Sequence, residues 1–334
     1  MEIRKVQMTG GSSFIITLPK EWIKSANIKK NDPLGLSRQS DGTLIISSKM
    51  NRKQIPRNQE FIVYKNTNQN YLLRKLIGSY ISGFKSIKIT SKDRITPTMR
   101  ATVRKFTQTT IGQEVVEETP ESIILKDLLN PAEMPFNRTI KRMHIMVKAM
   151  YEDSMQGLKN RDKKLTEDVL KRDNEIDRLH WLVARQHNII LQDINFAEKM
   201  ETNARIATTS FLISRIIERI GDHVIKIADN IINIIDLKLD NKLIEKLDEA
   251  SKISMEVFGK SIGSFSKKDI KEANENIENV KVLDKKCKEI NTYAIKQEPE
   301  IAISIGYIVE SIRRIGEYAE DISENVINYL VSEK

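Results

Sequence analysis

The feature that most narrows the folds open to this chain is a helical periodicity running almost unbroken through residues 136–328. Apolar residues recur there at three- and four-residue spacing, the period of helices that each bury one face. Breaks near 159–162, 240–241, 266–269 and Pro299 divide the stretch into about six helices. Two segments recur in the same order. Residues 169–179 align with 280–290, and 218–230 align with 313–325. Ordered self-similarity predicts two similar three-helix bundles in tandem. Gly221 and Gly316 fall at matching mid-helix positions, where glycine costs up to about 1 kcal/mol relative to alanine. Close approach of a second helix, or access of something to the backbone, would offset that cost.

The first copy carries carboxylates at helical spacing. Asp173 and Asp177 share one helix face, as do Glu218 and Asp222, with Asp229 seven residues further on. Facing carboxylate helices repel unless a cation or an arginine intervenes, and such helices can hold metal ions in bundles. Oxygen-only ligands favour hard cations. The competing reading is an ordinary solvated face paired with Arg172, Arg178, Arg215 and Arg219. His223 adjoins Asp222 but points to another face, and His144, His180 and His187 lack ligand spacing.

Charge divides the chain. Residues 1–135 hold 22 Lys and Arg against 12 Asp and Glu, whereas 136–334 hold 33 against 34. A basic segment joined to a neutral one predicts a polyanion-binding end and a separate function elsewhere. Cys287 is the sole cysteine, so an intrachain disulfide and a thiolate zinc cluster are excluded. No apolar run is long enough to span a bilayer, and the start lacks a signal-peptide pattern; the expected location is cytoplasmic.

Residues 1–50 read as a small β-module. Segments 3–8 and 13–18 are strand-like around a Thr9-Gly10-Gly11-Ser12 turn, and Pro19 opens a short helix. Pro33 can only open the next strand, and 34–38 and 43–47 flank a Ser40-Asp41-Gly42 hairpin turn. So few residues cannot bury a self-sufficient core, so a dimer that shares strands is expected. Residues 51–133 give the order β-α-β-α-β-β, with strands at 61–64, 86–90, 113–119 and 122–128 and helices at 71–82 and 97–109. That order suggests a small α/β layer. The seven cations from Lys85 to Lys105 could extend a DNA footprint or merely solvate a surface.

Two resemblances follow from these residues. Arg4-Lys5-Val6-Gln7, Gly10-Gly11-Ser12-Ser13, Leu18-Pro19-Lys20-Glu21-Trp22, Ile28-Lys29-Lys30-Asn31-Asp32 and Asp41-Gly42-Thr43-Leu44 together resemble the SpoVT/AbrB domain, a family that includes the MazE-type antitoxins. The resemblance implies a swapped-hairpin β-barrel dimer contacting double-stranded DNA, with Arg4, Lys5, Thr9, Ser12, Ser13 and Lys20 as the contact residues. Asn31 stands where glycine is usual in that family. Arg219-Ile220-Gly221-Asp222-His223, with the Glu218…Asp222 spacing and the Asp173…Asp177 pair, resembles PhoU, the phosphate-uptake regulator. That resemblance covers about 135–332 and implies an all-α half of two three-helix bundles. It also implies a divalent or iron-type metal (Fe, Mn or Mg) on the first bundle, held by Asp173, Asp177, Glu218, Asp222 and Asp229. In the second bundle Lys288 and Arg313 replace two of the acids, so at most one metal site is expected.

The combination is similar to archaeal phosphate-uptake regulators. It divides the chain into a DNA-binding and dimerisation domain (1–50), an α/β segment (51–133) and a PhoU-like region (134–334). No HExxH, P-loop, nucleophile elbow or Cys/His pairing is present, so an enzyme is not expected. Two main roles stay open: a DNA-binding regulator of phosphate uptake, or an adaptor docking on a phosphate transporter or sensor kinase; a third, antitoxin-like partnership through the first domain, sits poorly with the long helical half.

Overall fold

The computed structural model describes residues 2–38, 42–48 and 57–332. The chain forms two compact units, Met1–Pro56 and Arg57–Lys334.

The first unit contains β1 (Gln7–Thr9), β2 (Ser13–Ile15), α1 (Lys20–Ser25), β3 (Gly35–Arg38) and β4 (Leu44–Ser47). β1 and β2 form an antiparallel hairpin in register Thr9↔Ser13. Gly10 and Gly11 turn the chain at φ +62° and +79°, values that glycine adopts without steric cost. Asn31 has φ +73°, and asparagine is among the few other residues that visit this region, so the missing glycine is accommodated. β3 and β4 pair antiparallel, Arg38 opposite Leu44; of the expected Ser40-Asp41-Gly42 turn, Ser40 and Asp41 lie outside the described residues. The first two strands are shorter than their sequence pattern, three residues each. No described residue of this unit is buried within the single chain. Phe14 is 75% exposed and Leu36 66%. Two-stranded ribbons lacking a covered face are marginal in water.

The second unit opens with an α/β layer: β5 (Asn58–Val63), α2 (Gln69–Ile81), β6 (Ser86–Ser91), α3 (Pro97–Thr109), β7 (Gln113–Glu118) and β8 (Ser122–Asp127). The order β-α-β-α-β-β is as the sequence predicts. The sheet runs β5-β6-β8-β7, with β5 parallel to β6 and the other pairings antiparallel. Alternate residues Phe61, Val63, Ile87, Ile89, Ile123 and Leu125 face a core shared with Leu76, Tyr80, Val103 and Phe106 of the two helices. Asn68 and Thr96 cap these helices through their side chains.

The helical half holds α4 (Phe136–Asn160), α5 (Lys163–Leu170), α6 (Asp173–Ile190), α7 (Ile194–Lys199), α8 (Ala204–Ile234), α9 (Asn241–Lys267), α10 (Ile270–Ala294) and α11 (Pro299–Val331). These are more than the six or so expected. Arg161 in the left-handed region ends α4, and Asp162 caps the short α5. Residues 169–179, read as one helical segment, are split at Lys171–Arg172, whereas their counterpart 280–290 is continuous in α10. The long helices form two three-helix bundles, α4-α6-α8 and α9-α10-α11, which meet along α8 and α11. One apolar core runs through both. No helix among the described residues is long and apolar enough to cross a membrane.

Candidate functional site

On the first unit, Arg4, Lys5, Thr9, Ser12, Ser13 and Lys20 are all exposed. The β1–β2 register sets Thr9 beside Ser13 at the glycine turn, so hydroxyls and backbone amides gather there. Lys20 is the first residue of α1. Arg4 lies 2.6 Å from Glu2, an exposed pair of little energetic weight.

On the first bundle, four of the five expected carboxylates influence one another. Asp173 and Asp177 stand at the start of α6, and Glu218 and Asp222 in the middle of the facing α8. Burial raises the Asp173 carboxyl above its ordinary range, and the Asp222 charge raises it further. Asp177 is pushed up to about 6 by burial and by Asp173 and Asp222. Glu218 is pushed up to about 7, first by burial and then by Asp222 and Asp177, against the opposing pull of Arg215. The Glu218 side chain is 12% exposed and accepts from Arg215 at 2.9 Å through Oε1. Its Oε2 is buried with no hydrogen-bond partner. Asp229 lies two turns beyond Asp222 and is exposed; it is not among the charges perturbing the other four. Two turns carry it about 10 Å along the helix, outside the group.

The solvated-face alternative accounts for part of the arginine set. Arg172 pairs with Asp153 and Asp168 and Arg178 with Glu175, whereas Arg215 forms an ion pair within the group, with Glu218. All four donors are hard oxygens, and the orphaned Glu218 Oε2 fits a hard cation. The side chains as placed do not converge: among the described residues no three His, Cys, Asp or Glu are set to hold one metal ion. The histidines are engaged elsewhere. His180 faces Ser214 at 3.1 Å and His187 faces Thr208 at 3.2 Å, while His144 and His223 lie against Phe258 and Tyr318.

At the matching positions of the second bundle the charges cancel. Lys288 pairs with Asp284 at 2.6 Å. Arg313 bridges Glu310 at 2.8 Å and also Glu317. Asp173, Asp177, Glu218 and Asp222 correspond to Asp284, Lys288, Arg313 and Glu317, so four like charges become two ion pairs.

A family model described as the PhoU domain matches residues 140–231 and 247–326. The chain belongs to the PhoU family. A second model, described as antidote-toxin recognition MazE, bacterial antitoxin, matches residues 7–54. Among PhoU relatives, the phosphate-specific transport system accessory protein PhoU homolog 1 of Thermotoga maritima is 22% identical over 194 residues, 56% of this chain and 82% of that protein. Two crystal structures share the fold. The phosphate transport system regulatory protein PhoU from Streptococcus pneumoniae superposes with a TM-score of 0.51 at 17% identity, covering 60% of this chain and 94% of that one. PhoU from Pseudomonas aeruginosa gives 0.53 at 19%, covering 60% and 96%. The helical half is thus a PhoU fold of two bundles, preceded by a MazE/AbrB-like domain.

Neither family match reaches the α/β layer, and the residues binding that layer to the PhoU bundle were not singled out from sequence. Arg185 of α6 is buried and donates to the Phe84 carbonyl at 3.0 Å, to Asp127 Oδ2 at 2.6 Å and to the Tyr80 carbonyl. Gln186 donates to the carbonyls of Pro131 and Met134, each at 2.7 Å. The available signal was α6 itself: in Trp181-Leu182-Val183-Ala184-Arg185 an arginine interrupts an apolar run. A charge there must find a buried partner.

Proposed function

We propose that this PhoU-family protein is a DNA-binding transcriptional regulator of phosphate uptake. The observation that carries the reading is the fusion itself: a MazE-type module with exposed basic and hydroxyl groups at a glycine turn, on the same chain as a PhoU domain. In this reading two copies of the first unit pair, closing a barrel over side chains such as Phe14 and Leu36. Arg4, Lys5 and Lys20 neutralise phosphates, while Thr9, Ser12, Ser13 and the Gly10–Gly11 amides reach phosphate or base edges. The PhoU half senses or relays the signal, and the protein acts in the cytoplasm without catalysing a reaction. A hard divalent or iron-type cation would supply countercharge to Asp173, Asp177, Glu218 and Asp222, whose side chains would have to draw together to hold it.

The test is chromatin occupancy with transcript mapping before and after phosphate starvation. Occupancy upstream of phosphate-transport genes, lost when Arg4 and Lys5 are changed to Gln, supports the reading. Starvation responses that persist without any DNA occupancy contradict it. One observation favours an adaptor role on a phosphate transporter or sensor kinase: the helical half spans nearly the whole length of PhoU proteins that lack a MazE-type extension of comparable size. Co-purification with a transporter or kinase by protein lacking DNA affinity would select that role.

A further inference from the structure

The positive charge of this chain is placed unexpectedly. Residues 1–41, which include every DNA-contact candidate on the first unit, hold seven Lys and Arg against four acids. Residues 42–113 hold fourteen against two, Glu60 and Asp93. From residue 114 to 135 the sign reverses, with one Lys against six acids. Most of the excess over the N-terminal 135 residues therefore lies after residue 41, where +12 over 42–113 is partly offset by −5 over 114–135, against +3 in residues 1–41.

Within the α/β layer the two signs are also segregated. α2 and α3 contain no Asp or Glu, whereas Glu114, Glu117 and Glu118 lie on the edge strand β7. Arg74 of α2, Arg104 and Lys105 of α3, and Lys92 and Arg94 of the loop before α3 are exposed. No ion pair among the described residues engages these five, while Lys65, Lys88 and Arg100 pair with Asp93, Glu60 and Glu118. An ordinary solvated surface interleaves both signs; here the two helices carry no acid, and the neighbouring Asp93, Glu60 and Glu118 are taken up by other cations of the layer. Tyr71, 58% exposed, lies beside Lys75 on α2. A surface of unpaired cations on an acid-free helical layer fits a polyanion with regularly spaced charges.

We propose that the α2–α3 face of the α/β layer is a second DNA-binding surface, which grips the phosphate backbone without reading sequence and supplies much of the electrostatic affinity. This rests on the DNA-binding reading above and adds a division of labour: the β-module reads the site and the α/β layer holds the duplex beside it. Ten residues separate Ser47 from Asn58, a length of chain that reaches at most about 35 Å. That is about one turn of B-DNA.

The experiment is a salt titration of the full-length protein on random-sequence duplex DNA, between about 50 and 200 mM salt. Three proteins are compared with the wild type: Arg74→Gln/Arg104→Gln/Lys105→Gln, Lys92→Gln/Arg94→Gln, and Arg4→Gln/Lys5→Gln. Each lost phosphate contact lowers the slope of log K against log salt by about 0.9. The triple variant should therefore lose about two to three units of slope and the Lys92/Arg94 variant about one to two, with affinity at low salt down about tenfold or more. Wild-type binding with an unchanged slope in both α/β variants, and a changed one only for Arg4/Lys5, overturns this proposal and leaves the DNA-binding reading standing. Failure of the wild type to bind any duplex removes both. Loss of binding to anionic vesicles by the triple variant, with its DNA slope intact, assigns the surface to a membrane and likewise overturns the proposal.

Discussion

Glycine 316 and glycine 221 occupy equivalent places in the two bundles, yet their surroundings differ. A Cβ added at Gly316 would sit 2.4 Å from Cδ2 of the fully buried Leu283, whereas one at Gly221 would meet Ile176 at an ordinary 3.6 Å. Gly316→Ala should thus cost about 1–3 kcal/mol through overpacking, and Gly221→Ala should be neutral or gain up to about 1 kcal/mol in helix propensity; denaturant melts of the two variants check this. The carboxylates carry a pH signature. With Asp177 near 6 and Glu218 near 7, the folded chain holds protons that the unfolded chain has released. Their contribution favours the fold at low pH and is lost as pH rises from about 4 through 7. His180 and His223, both held near 4 by burial, act oppositely and favour unfolding as pH falls below about 6.5. Comparison with Asp177→Asn separates the two. In chelator this variant should melt higher than wild type at pH 7.5 and equally at pH 4.5, while added Mn or Mg should raise the wild type alone. Of the five acids read from helical spacing, four perturb one another across α6 and α8 without converging on one point. Periodicity cannot show that Asp229 stands apart, because spacing along one helix does not say where the facing helix ends.

Helix α6 links two parts of the second unit. Its first two turns carry Asp173 and Asp177, and its later turns carry Arg185, which holds the α/β layer, and Gln186, which holds the segment after β8. Removing one member of a buried ion pair leaves the other uncompensated, a loss of about 3–5 kcal/mol. Arg185→Met should therefore destabilise the protein by that order, and adding Asp127→Leu should recover most of it. A double-variant loss equal to the sum of the two single losses would show that the pair is not coupled. The long helices were legible because one-sided burial writes a period into the sequence. The short α5 and α7 were not, since eight and six residues are too few for a period to declare itself. The Arg185 network was missed for another reason: its partners Tyr80, Phe84 and Asp127 lie far away in the chain, and two of them contribute backbone carbonyls, Tyr80 its ring as well.

At the scale of the whole molecule, the first unit stands out because nothing described in it is buried, although Phe14, Leu36, Met8 and Val6 are each more than 60% exposed. A second copy is the cover that the strand pattern calls for, and a buried phenylalanine is worth about 1.5–3 kcal/mol. Phe14→Glu should weaken self-association about ten- to a hundredfold in equilibrium sedimentation. The β-module's sequence features and the PhoU half's repeat were both legible in the chain, and so was its overall charge split. Where within the first 135 residues the charge is concentrated became meaningful only once α2 and α3 were seen to share one acid-free layer. The most direct test of the account is sedimentation of the full-length protein with labelled duplex DNA. The account predicts a complex of two protomers per duplex that dissociates as salt rises; a monomer that leaves the duplex free at every salt concentration would contradict it.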